Sequence, residues 1–207
     1  MRTQSASRDF APTPAGSRSA SAVARGSVVR TLLGGWGRTV AGDVFFAFFT
    51  AVVLIQGIHV FEHVVQLAQV YALGVSEDEA LGLLGYVLQL QGTAEWLHLG
   101  FNSTYLLALY LLVLPLSRLR GIDVPNWAFA VFIAGVALES WHVVEHGVII
   151  SNVITNHGCP CPGIVDAATG LSDTVLHFVY NALAYTAMVV PFWFLARSRV
   201  VRPRRPG

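Results

Sequence analysis

Polar positions in this chain are sparse and recur with helical spacing. Four mainly apolar stretches, about 44–73, 83–116, 126–152 and 173–196, each meet the roughly 20 residues needed to cross about 30 Å of hydrocarbon. Lipid offers backbone N–H and C=O groups no partner, so each stretch is predicted as a helix. The expected fold is therefore all-α, an integral membrane four-helix bundle.

Histidine and glutamate interrupt these stretches twice in the same order. HVFEH at 59–63 and HVVEH at 142–146 both read His-x-x-Glu-His. A second pattern, Leu-His-x-x-aromatic-Asn, appears as LHLGFN at 97–102 and LHFVYN at 176–181. The chain thus reads as two tandem repeats of a two-helix hairpin, 41–118 and 119–198, between tails at 1–40 and 199–207. Two spans return the chain to its starting side, so the repeats are expected to be parallel, related by an axis along the membrane normal.

Residues at i, i+3 and i+4 share a helix face. His59, Glu62 and His63 therefore form one stripe, flanked by Gln56 and Gln66. His142, Glu145 and His146 form the corresponding stripe, with Glu139 where the first copy has Gln56. Glu95, His98 and Asn102 line the second span, and Asp173, His177 and Asn181 line the fourth.

Composition supports the membrane class: 54% of residues are hydrophobic and 12% charged, and mean hydropathy is strongly positive. All 13 basic residues are arginine. They lie before the first span, between the second and third (Arg118, Arg120) and after the fourth (Arg197 onward). The positive-inside rule then puts both termini in the cytoplasm of a multi-pass cell-membrane protein. Residues 1–40, rich in Ser, Ala, Gly and Arg, read as a disordered cytoplasmic tail; an organellar transit peptide has a similar composition. The arginines of the last segment suit anionic lipid headgroups.

Depth follows from the same arginines. His98 and His177 lie about 20 residues from Arg118 and Arg197, and His59 and His142 about as far from Arg38 and Arg120, or roughly 30 Å along a helix. Four histidines on four spans are expected in one layer near the outer face, with His63 and His146 a turn further out.

Ionisable groups at such depth are costly and mark functional sites. Hydrogen-bonded packing of the bundle is the plain alternative. Metal binding explains more, because two His at i and i+4 can grip one ion. The expected ligands are His59, His63, His98, His142, His146 and His177. Glu62 and Glu145 are expected as further ligands or as partners that fix the imidazole tautomers, with Glu95, Glu139, Asp173, Asn102 and Asn181 lining or supporting the site. Iron, copper or zinc all suit such donors.

His-x-x-Glu-His is also the order of inverted zinc peptidases, but those need one asymmetric open site, whereas a doubled motif favours a dinuclear centre or two matched ones. Glu-x-x-His, at 95–98 and 139–142, matches a short element of di-iron bundles; the repeat does not relate the two fragments. A b-type haem on two axial histidines is the alternative cofactor, and it leaves the glutamates unexplained. In the loop NHGCPCPG, His157, Cys159 and Cys161 offer a soft site that could capture Cu(I) or Zn. The expected partners are the lipid bilayer and a lipid-soluble substrate or redox partner, with redox chemistry if the protein is an enzyme; a non-catalytic metal-handling role is the other reading. No nucleic-acid signature is present.

Overall fold

The structure, a computed structural model, describes residues 40–88, 94–156 and 162–201. His157, Cys159 and Cys161 lie outside the described residues, as does most of the expected N-terminal tail.

Four long helices dominate: α1 (Val40–Tyr71), α3 (Ala94–Leu119), α4 (Asn126–Thr155) and α6 (Asp173–Val201). All four are long and apolar enough to cross a membrane. Two short helices, α2 (Gly82–Val87) and α5 (Ile164–Thr169), lie in the connections α1–α3 and α4–α6. No strand forms among the described residues. The second span differs from its expected start: LGLLGYV, apolar enough to read as its first turns, folds instead as α2. Gly82, at φ +70°, starts that short helix in a left-handed conformation that favours glycine.

Helices α3 and α4 are joined by a tight turn. Gly121, at φ 76°, donates its N–H to Val124 O at 2.7 Å, and the N–H groups of Ile122, Asp123 and Val124 converge on Leu119 O. Pro125 then leads into α4, a place where its fixed φ suits helix entry. At the same end of the bundle Arg199 ties α6 to α1. Its guanidinium donates to Asp43 Oδ1 at 2.9 Å and Gly42 O at 2.5 Å, and it lies over the Phe46 ring.

Two layers fill the interior. Near the arginine end the core is apolar, built on Phe49, Leu109, Leu112, Leu116, Phe132 and Met188, with Phe49 edge-on to Phe192 at 5.2 Å. The far half holds every buried polar side chain among the described residues, from Gln56 to Gln66 on α1, His98 and Asn102 on α3, Glu139 to His146 on α4, and His177 and Asn181 on α6. Large apolar side chains such as Leu54, Ile58 and Phe61 point outward and are more than half exposed, the arrangement a bilayer requires.

The long helices do not pack evenly. α4 is in extensive contact with α6 and α3, and α6 with α1, while α1 and α3 meet over much less of their length. Close approach of α4 to α6 depends on Gly135, where an added Cβ would lie 2.5 Å from the Ala187 Cβ. Small residues allow such approach between membrane helices. Gly135→Leu is therefore expected to destabilise the bundle by about 1–3 kcal/mol, read as a lowered unfolding temperature in detergent; an unchanged temperature would mean that this contact is not tight.

Candidate metal centre

Six imidazoles converge in the polar layer. Helical spacing places His59 beside His63 on α1 and His142 beside His146 on α4, with ring centroids 4.6 and 4.7 Å apart. His98 of α3 stands 5.5 Å from His63, and His177 of α6 stands 4.4 Å from His146. Contacts also run the other way round the bundle, His98 to His146 at 5.7 Å and His63 to His177 at 6.1 Å, while His98 and His177 face each other at 5.8 Å. All six are buried.

His142, His146 and His177 each offer a ring nitrogen, and these three atoms all lie within 4.8 Å of one another. That trio can hold one metal ion after a small inward movement, since imidazole nitrogens bind zinc at about 2.0–2.1 Å. On α1, His59 Nε2 and His63 Nε2 are 3.2 Å apart, near the separation of two donors sharing a tetrahedral ion at that bond length.

Carboxylates and amides orient the rings. His177 Nδ1 lies 3.0 Å from Asp173 Oδ2, one turn earlier on α6. His142 Nδ1 faces Glu139 Oε2, and His146 Nδ1 faces Glu95 Oε2, each at 3.5 Å. His63 Nδ1 donates to Gln66 Oε1 at 2.7 Å. A proton held on Nδ1 leaves the Nε2 lone pair of His142 free to bind metal, whereas at His63 and His146 that lone pair accepts from an asparagine amide, which would have to turn away for an ion to bind there. Both asparagines reach histidines on other spans: Asn102 Nδ2 is 3.0 Å from His146 Nε2, and Asn181 Nδ2 is 3.1 Å from His63 Nε2.

The donor set fits a cation on one further count. His142 Nε2 is buried without a hydrogen-bond partner, as are His98 Nδ1 and Glu139 Oε1. Leaving a polar atom in that state costs about 1–3 kcal/mol, a cost that coordination would remove at His142.

Glu62 and Glu145 stand on the histidine stripes, yet their carboxylates face the short helices. Glu62 Oε1 accepts from the N–H groups of Leu84 at 2.5 Å and Gly85 at 3.4 Å. Glu145 accepts from Ile164 N–H at 2.6 Å and Val165 N–H at 3.0 Å. Each acid thus satisfies free N–H groups in the first turn of α2 or α5, where negative charge is also favoured. Glycine makes room: a Cβ on Gly163 would lie 2.6 Å from Glu145 Oε2, and one on Gly82 would collide with the Glu62 carboxylate.

Sequence reasoning assigned no role to Phe101 and Tyr180, which stack on His59 at 4.1 Å and His142 at 4.9 Å. Both occupy the aromatic position of Leu-His-x-x-aromatic-Asn, and that shared position was the available signal. Sequence reasoning also assigned no role to Gly82 and Gly163, which leave room for the two carboxylates at the starts of α2 and α5. Near α5, partial burial and the carboxylates of Asp173, Glu77 and Glu145 raise the pKa of Asp166, consistent with a local negative field that attracts cations.

No family model matches this chain, and neither a curated protein nor a solved structure matches it.

Glu145→Ala is expected to strip two acceptor contacts from α5. Amide exchange at Ile164 and Val165 should accelerate about tenfold or more, since bonds to a charged acceptor contribute roughly 1.5–3 kcal/mol. Unchanged exchange would show that α5 is held by other contacts.

Proposed function

We propose that this four-span membrane protein binds transition metal in its histidine layer and is a redox enzyme for a lipid-soluble substrate. The observation that carries this reading is the buried His142, His146 and His177 trio, with donor atoms within 4.8 Å of one another and Nδ1 of each ring turned to an acid. In this reading His59, His63 and His98 form a companion half-site for a second ion; among the described residues only the His142, His146 and His177 trio already brings three donor atoms within 4.8 Å of one another. Iron or copper would supply one-electron chemistry there, while zinc would act as a Lewis acid.

A tandem repeat underlies the two half-sites. It is supported by contacts that recur under the motif alignment: His59 with Phe101 as His142 with Tyr180, Asn102 with His146 as Asn181 with His63, and Glu62 with α2 as Glu145 with α5. In this reading the arginine-rich end and both termini are cytoplasmic and the histidine layer lies toward the outer face. Glu62 and Glu145 hold the short helices beside the layer, and Glu95, Glu139 and Asp173 fix ring orientation. Ring crowding favours ions over haem, because His146 and His177 stack at 4.4 Å with a 5° interplanar angle and His98 has rings within about 6 Å on several sides, where a macrocycle would have to lie.

Metal analysis of protein purified in detergent tests this. Two ions per chain are expected, His146→Ala should lose the ion of its own half-site, and Asp173→Asn should weaken that site about 10–100-fold. Folded protein without metal would refute the reading.

A further inference from the structure

The weak seam between α1 and α3 opens into an apolar cleft of about 470 Å³, within the 300–1,000 Å³ range of small-molecule sites. Phe48, Val52 and Ile55 line it from α1, and Gly100, Thr104 and Ala108 from α3. It lies within the two spans, and its outer residues Ile55 and Trp96 are more than half exposed, so it opens sideways to lipid rather than to water. Its counterpart is closed: on the motif alignments Val52 takes the place of Gly135, and Ala108 that of Ala187. Where glycine lets α4 and α6 touch, valine stands on α1.

Gln56 lies against the cleft, fully buried. Its amide orientation is fixed by a relay. His177 O can only accept, so the Asn181 atom 2.9 Å from it is the donor Nδ2. Asn181 Oδ1 therefore faces Gln56, which donates through Nε2 at 2.8 Å. The remaining Gln56 atom is the acceptor Oε1, and it has no hydrogen-bond partner. Gln56 lines the apolar cleft while its unpaired acceptor lies buried just behind the wall, so a neutral donor on an apolar body would pair with it after a small turn of the Gln56 side chain. None of the residues lining it is charged, which disfavours carboxylates, phosphates and ammonium groups.

We propose that this lateral cleft binds a lipid-soluble hydroxyl compound of the phenol class, entering from the bilayer with its O–H donating to Gln56 Oε1. The rings of Trp96, Phe101 and Tyr105, all lining the cleft, suit an aromatic head, and the remaining apolar wall suits an alkyl tail. Two contacts join this place to the histidines: Phe101 stacks on His59 at 4.1 Å, and Gln56 reaches His63 through Asn181. The compound's role as substrate rests on the metal reading above; its binding does not.

The test uses the full chain in lipid nanodiscs, titrated with 4-nonylphenol and with 4-nonylanisole, which has the same ring and tail but no O–H. Saturable binding of the phenol is expected, about tenfold tighter than the ether, the value of one buried hydrogen bond. Gln56→Leu should abolish that preference. Gly100→Phe, placed where an added Cβ meets nothing within 4 Å, should fill the cleft and remove binding of both probes while metal content stays unchanged. Equal uptake of the two probes by wild type and by both variants would overturn the proposal. Binding that persists in metal-stripped protein supports the cleft whatever the metal content proves to be, so the two readings fail separately.

Discussion

Every buried polar atom in a membrane-spanning bundle must find its partner inside the protein, and this constraint organises the far half of the molecule. Lipid offers neither hydrogen bonds nor counterions. Six imidazoles in one layer are tolerable only because acids, amides and each other's rings meet several of their nitrogens. The few atoms left without partners, among them His142 Nε2 and Gln56 Oε1, are where ligand chemistry is to be sought.

The same constraint explains the division of labour along the helices. The arginine end is closed by apolar packing and by the Arg199–Asp43 clamp. At the other end α2 and α5 expose backbone donors in their first turns, and the two motif glutamates satisfy them. Glutamates on the histidine stripes thereby tie the connecting segments to the polar layer, so that displacement of either short helix would free a carboxylate one turn from the rings.

Much of this was legible in the sequence. Span number followed from apolar length, and the helix faces of His59, His63, His142 and His146 from i, i+4 spacing, because both signals are local. Arginine spacing pointed to one level for histidines on four helices, and the rings do lie beside one another. What escaped was non-local. Nothing near Glu62 indicates that its carboxylate meets Leu84, and LGLLGYV is apolar enough to pass for the start of a span. The cleft between α1 and α3 likewise reflects how little those two helices touch, whereas Gly135 lets α4 approach α6 at Ala187; both are relations between distant segments.

The central claim is that imidazoles of this layer hold the metal. X-ray absorption at the edge of whichever metal is retained would test it most directly. The account predicts a first shell containing about three imidazole nitrogens per ion near 2.0–2.1 Å, with the multiple-scattering pattern of histidine. A shell of oxygen or sulfur donors without imidazole scattering would contradict it.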